Sequence, residues 1–113
     1  MLKRRSEFQR VYHAGRAYAG RCLVLYVFEN RTAAAKARGG LVGFAAGKKL
    51  GCAAVRNRVK RVLREAYRQN QLIVREDVTL LLVGRKSCIK AKSQAVGQEF
   101  IRLLKLSKAA KPC

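Results

Sequence analysis

A chain of 113 residues is one domain's length, and half of its residues are apolar, which excludes global disorder and supports a packed core. Against 26 lysines and arginines it carries only 6 aspartates and glutamates, a formal charge of +20. So few acids leave little room for carboxylate-driven chemistry, and self-repulsion on this scale calls for a polyanionic partner, with nucleic acid ahead of an anionic membrane surface.

In chain order, the opening MLKRRSEFQRVYHAG lacks an apolar h-region and does not read as a secretory signal. Within it, Ser6–His13 sets Phe8, Val11 and Tyr12 on one helical stripe, and Gly15 offers a stop. Gly15–Tyr18 is a short candidate strand. Arg21–Glu29, rich in branched and aromatic residues, reads as a longer one. Alternation sends Leu23, Leu25 and Val27 one way and Val24, Tyr26 and Phe28 the other. Both faces are apolar, so both should be covered. NRTAAAKARGG is a polar connection, and LVGFAAG resumes as a strand.

From Cys52 to Asn70 the chain predicts an amphipathic helix, roughly 28 Å long. At about 100° per residue, Cys52, Val55, Val59, Val62, Leu63 and Ala66 share one arc. Arg56, Asn57, Lys60, Arg61, Arg64 and Arg68 take the opposite side. Glu65 is placed to pair with Arg61 or Arg68. Asp77–Arg85 is the last strand. Ser93 then suits an N-cap for a helix carrying Val96, Phe100, Leu103 and Leu104 to near Ser107. Residues 108–113 read as a frayed tail. Helices interspersed with strands predict a single α+β domain over 1–113, a two-layer sandwich of helices on one sheet. Strand, basic helix and strand can form a βαβ unit whose hand is not legible in the sequence.

Cleavage chemistry is poorly supplied. The acids are Glu7, Glu29, Glu65, Glu76, Asp77 and Glu99, and only Glu76 and Asp77 are neighbours. Two-metal phosphodiester hydrolysis needs several carboxylates converging on ions about 4 Å apart. A single histidine, His13, cannot serve as both acid and base. Cys22, Cys52, Cys88 and Cys113 have no CxxC spacing and read as reduced cytosolic thiols. The apolar runs CLVLYVF and VTLLLVG are too short to span a bilayer.

A phosphate-binding surface is well supplied. Lys48 and Lys49 precede Gly51 and the basic helix, and Arg85 and Lys86 follow the last strand. Guanidinium forks grip phosphate oxygens bidentately, and lysine acts as a movable point charge. A membrane-surface role for the helix is disfavoured, because its apolar stripe is narrow, valine-rich and needed by the core. Phe8, Tyr12 and Tyr26 could stack on the splayed bases of unpaired RNA. For Phe8, plain core packing is the competing reading.

At GKKLGCAAVRNRVKRVLREAYR the sequence resembles the bacterial ribonuclease P protein family. Arg56-Asn57-Arg58 opens the motif, and Lys60, Arg61 and Arg64 continue it. Lys48-Lys49-x-Gly, EFQRVYHAG, LVLYVF and LLLVGRK stand in the family's order, so the resemblance covers nearly the whole chain. It implies an α-β-β-β-α-β-α order with a four-stranded sheet, similar to a small-subunit ribosomal protein domain, and a left-handed crossover around the basic helix. It implies a cytoplasmic ribonucleoprotein in which a catalytic RNA, with Mg²⁺ held chiefly by that RNA, removes the 5′ leader from precursor tRNA. The polypeptide would be a non-catalytic subunit, with no DNA or membrane partner. Its RNA face would be Arg56, Asn57, Arg58, Lys60, Arg61, Arg64 and Arg68 with Lys48 and Lys49. Phe8, Tyr12, Tyr26 and Lys86 would line a cleft for the single-stranded leader. Gly47 and Cys52 depart from the serine and asparagine of the pattern, which removes a hydroxyl and an amide. A structural rRNA-binding protein and an autonomous metal-dependent nuclease are the rival functions.

Overall fold

The computed structural model describes residues 15–29, 42–74 and 78–109. The helix predicted at Ser6–His13, with Phe8 and Tyr12, lies outside these residues, as do residues 110–113. Strands form where branched and aromatic side chains run together: β1 (Arg16–Ala19), β2 (Leu23–Glu29), β3 (Val42–Ala46) and β4 (Val78–Gly84). They make one mixed sheet in the order β1-β2-β4-β3. β1 and β2 are antiparallel with Tyr18 opposite Leu25, and β2 and β4 are antiparallel with Leu23 opposite Gly84. β3 and β4 are parallel, with Ala46 beside Gly84. Parallel neighbours need a long crossover. The basic helix α1 (Ala53–Asn70) lies within it, completing the predicted βαβ unit, and α2 (Ser93–Leu106) follows β4.

Alternation along β2 decides the layering. Leu23, Leu25 and Val27 are buried with Leu80 and Leu82 of β4 under both helices. From α1 come Val59, Leu63 and Ala66, and from α2 Val96, Phe100, Leu103 and Leu104, all fully buried. This is the α+β sandwich expected. The opposite face is apolar as well: Leu81 is fully buried there among Tyr26, Phe28, Ala45 and Val83.

Two side-chain features set how closely α1 sits on the sheet. A Cβ on Gly84 would lie 2.3 Å from Val59 Cγ1, so only glycine at the end of β4 admits the helix at this distance. Tyr67 of α1 stands between Phe44 of β3 and Phe100 of α2, with ring centroids 6.0 and 6.1 Å away. Its near-perpendicular 80° packing on Phe100 is the edge-to-face arrangement that ring quadrupoles favour. Burial in this stack pushes the Tyr67 phenol above its ordinary pKa.

Two local expectations are corrected. The N-cap of α2 is Lys92, extended at φ −86° and ψ 151°, and Ser93 is already helical. The first helical bond runs from Val96 N–H to the Lys92 carbonyl, which places the cap one residue early and leaves the serine hydroxyl out of it. Cys52 belongs to no buried arc. It is the exposed N-cap of α1, and its extended backbone takes it out of the helical projection. At the other end of α2, Lys108 adopts a left-handed conformation (φ 61°) and Ala109 N–H closes back on the Leu104 carbonyl at 2.9 Å. Ala109 is fully buried by this turn.

Candidate nucleic-acid interface

The register of the sheet collects charge at one end. β3 and β4 finish together at Ala46 and Gly84, and antiparallel β2 starts beside them at Leu23. The chain leaving β3 makes a single 3-10 turn, Lys48–Leu50, with both lysines exposed. Gly51 then takes φ +136°, a conformation strained for any side chain, and delivers the chain into α1. The chain leaving β4 passes through Arg85 into a second 3-10 turn, Lys86–Ile89.

Arginines tie these pieces together. Arg56 Nε donates to the Ala46 carbonyl at 3.1 Å, and Arg58 Nε donates to the Ile89 carbonyl at 3.2 Å. Arg85 Nη1 donates to the Gly20 carbonyl at 2.9 Å, and its backbone N–H to the Cys22 carbonyl at 2.8 Å. Anchoring Arg56 and Arg58 through Nε leaves their Nη groups without a partner among the described residues. A guanidinium held in this way loses less freedom when it grips a phosphate.

Further along α1, Arg64 lies over Phe44, 5.9 Å from the ring centroid. Among the described residues no hydrogen bond or ion pair engages the side chains of Asn57, Lys60 or Arg61. Arg68 is different. It grips Glu65 through Nε (3.0 Å to Oε2) and Nη2, and that bond holds the Glu65 carboxyl below its ordinary pKa. Such an exposed pair adds little stability but offsets positive charge at the far end of the helix.

Lys48, Lys49, Arg56, Asn57, Arg58 and Lys86 therefore gather at one end of the sheet, while Lys60, Arg61 and Arg64 extend the basic face along α1. Tyr26 stands apart from them. It is half-buried beside Leu81 on the sheet face opposite α1 and α2, three strand residues and so about 10 Å from the basic end. Arg21 escapes a reading by sequence, which makes it the first strand residue. The strand starts at Leu23, and Arg21 is an exposed turn residue beside Arg85's anchor.

Gly47 has open space around it, and a Cβ there would meet no atom within 4 Å, so the missing hydroxyl is not excluded by packing. At Cys52 the thiol faces the first-turn N–H groups of Val55 and Ala54 without making a capping bond, and those dipoles lower its pKa. Burial pushes the Cys88 thiol up to about 11. At pH 8 Cys52 thus holds the larger thiolate fraction, and iodoacetamide should label it well before Cys88. Peptide mapping over a time course checks this, and equal labelling rates would contradict it.

Among the described residues no group of three or more His, Cys, Asp or Glu could hold an ion. Glu65 is engaged by Arg68, and the Glu99 carboxylate accepts the backbone N–H groups of Arg21, Cys22 and Leu23. Magnesium does not fit these donors. No helix among the described residues is long and apolar enough to cross a membrane.

The ribonuclease P family model matches residues 1–108. A ribonuclease P protein component from Natranaerobius thermophilus is 40% identical over 107 residues, covering 95% of this chain and 89% of the relative. One from Clostridium novyi is 36% identical over 104 residues, covering 92% and 89%. Among solved structures, the RNase P protein from Staphylococcus aureus superposes with a TM-score of 0.78 at 26% identity, over 96% of this chain and 94% of that one. The Thermotoga maritima RNase P protein shares the fold, with a TM-score of 0.76 at 22% identity over 92% and 94%. With a basic face built on an Arg-Asn-Arg helix and a family match over nearly its whole length, this chain belongs to the ribonuclease P protein family.

Proposed function

We propose that this polypeptide is the cytoplasmic protein subunit of a ribonucleoprotein endoribonuclease that removes the 5′ leader from precursor tRNA. The observation that carries the reading is the convergence of Lys48, Lys49, Arg56, Asn57, Arg58 and Lys86 at one end of the sheet in a chain of this family. In this reading α1, with Lys48 and Lys49, binds the catalytic RNA. The single-stranded leader runs along the sheet face opposite α1 and α2, where Tyr26 supplies a stacking surface that Phe8 and Tyr12 would extend, and Lys86 at the basic end adds charge to its path. The RNA performs the hydrolysis, with magnesium held chiefly by that RNA, and the polypeptide supplies fixed positive charge. Two RNAs that repel one another can then approach.

Reconstitution tests it. The purified protein alone should leave a labelled tRNA precursor uncut, and adding the RNA subunit with Mg²⁺ should give efficient cleavage at the mature 5′ end. Efficient cleavage by RNA-free protein would overturn the division of labour. Equal affinity for precursor and mature tRNA in the assembled complex would instead favour a structural rRNA-binding role.

A further inference from the structure

We infer that Glu99 is a positioning residue for the basic end of the sheet, fixing the β1–β2 turn that in turn holds Arg85 for contact with RNA phosphates. The inference rests on the RNA-binding reading above. Glu99 projects from α2, and its side chain is only 11% exposed although it carries one of the few negative charges in the chain. Its carboxylate is turned onto the chain between β1 and β2. Oε1 accepts the Arg21 N–H, and Oε2 accepts those of Cys22 at 2.8 Å and Leu23 at 3.1 Å. Charge-assisted bonds of this kind are about twice as strong as neutral ones. The turn is shaped to receive the group: a Cβ on Gly20 would lie 2.6 Å from Glu99 Cδ. Gly20 N–H closes the turn on the Leu23 carbonyl at 2.8 Å.

The same turn has an outer side. While its amides point in at Glu99, the Gly20 carbonyl accepts Arg85 Nη1 at 2.9 Å and the Cys22 carbonyl accepts Arg85 N–H at 2.8 Å. Arg85 immediately precedes Lys86, and both are exposed where β4 reaches the basic end. Arg102 Nη2 approaches Glu99 Oε1 at 3.9 Å from the α2 side. One shielded carboxylate thus organises a turn on whose other side an arginine is held. Without it, three amides lose their acceptor, the turn relaxes, and Arg85 must be ordered anew on each binding event.

A purely structural latch would lower stability without touching how many phosphates are neutralised, so the test reads the salt dependence of binding. The full-length protein is titrated against a transcript of the ribonuclease P RNA subunit at several salt concentrations. Glu99→Gln, which keeps the shape and one acceptor oxygen, should weaken binding about 3–10-fold and reduce the slope of log affinity against log salt by roughly one contact, about 0.7–0.9. Arg85→Ala should do the same, and the double variant should be no worse than Arg85→Ala alone. Circular dichroism at the assay temperature confirms that each variant is folded. An unchanged slope in Glu99→Gln, or losses that multiply in the double variant, would overturn the inference. If the unaltered protein bound the transcript with no salt dependence, the RNA-binding reading itself would fall. Should Arg85→Ala weaken binding and Glu99→Gln leave it intact, only the role of Glu99 would fall.

Discussion

Replacing Arg58, Lys60 and Arg61 together by alanine is expected to weaken binding to the RNA subunit by about 10²–10³-fold at 0.1 M monovalent salt. Each phosphate contact releases roughly 0.7–0.9 of a counterion, so relative to 1 M salt it is worth about 5–8-fold at 0.1 M, and three contacts multiply. The three residues are chosen because the fold depends little on them. The side chains of Lys60 and Arg61 have no hydrogen-bond partner among the described residues, and Arg58 makes one exposed bond to the Ile89 carbonyl. The change should appear in the salt slope, lowered by about 2–3, and leave the melting temperature nearly where it was. Replacing Arg68 by alanine should do less, since Glu65 already offsets its charge. A triple variant with the parent slope would show that α1 does not face the RNA.

Phe100→Ala is expected to be the most damaging single substitution for stability, at about 3–5 kcal/mol. Phe100 is fully buried, and it closes the stack that runs through Tyr67 to Phe44, so one side chain touches the contact between helices and sheet edge. With unfolding entropy near 2.1 cal/mol/K per residue, a 113-residue chain shifts by about 4 °C per kcal/mol, giving a fall of roughly 12–20 °C. Whole domains hold only about 5–15 kcal/mol, so the variant sits near the edge of folding. Leu106→Ala is the control. That leucine is 62% exposed on the same helix and should move the melting temperature by no more than about 2 °C. Thermal denaturation followed by circular dichroism measures both, and a Phe100→Ala shift below about 4 °C would show that the stack does not hold the layers together.

The helices and strands are legible wherever a repeating pattern is local. In α1 the apolar positions predicted to face the core include Val59, Leu63 and Ala66, all fully buried, and the strict alternation of β2 puts Leu23, Leu25 and Val27 on the helix side. Patterns with no period behind them are harder to read at their ends. Residue type beside a helix points to Cys52 as a core position and to Ser93 as a cap, whereas backbone bonding decides which residue caps it. Arg21 is absorbed into a strand because its neighbours are apolar, although the turn ends only at Leu23.

By itself the sequence determined the charge of this protein, the helix that carries it, and the class of partner such charge requires, because net charge and 3.6-residue periodicity are properties of the chain before it folds. Which charges act together was decided only by the tertiary structure. Arg85 meets Gly20 across 65 positions, and Glu99 meets Cys22 across 77. Distances of that kind arise from strand register and helix docking, and no window of the sequence contains both partners.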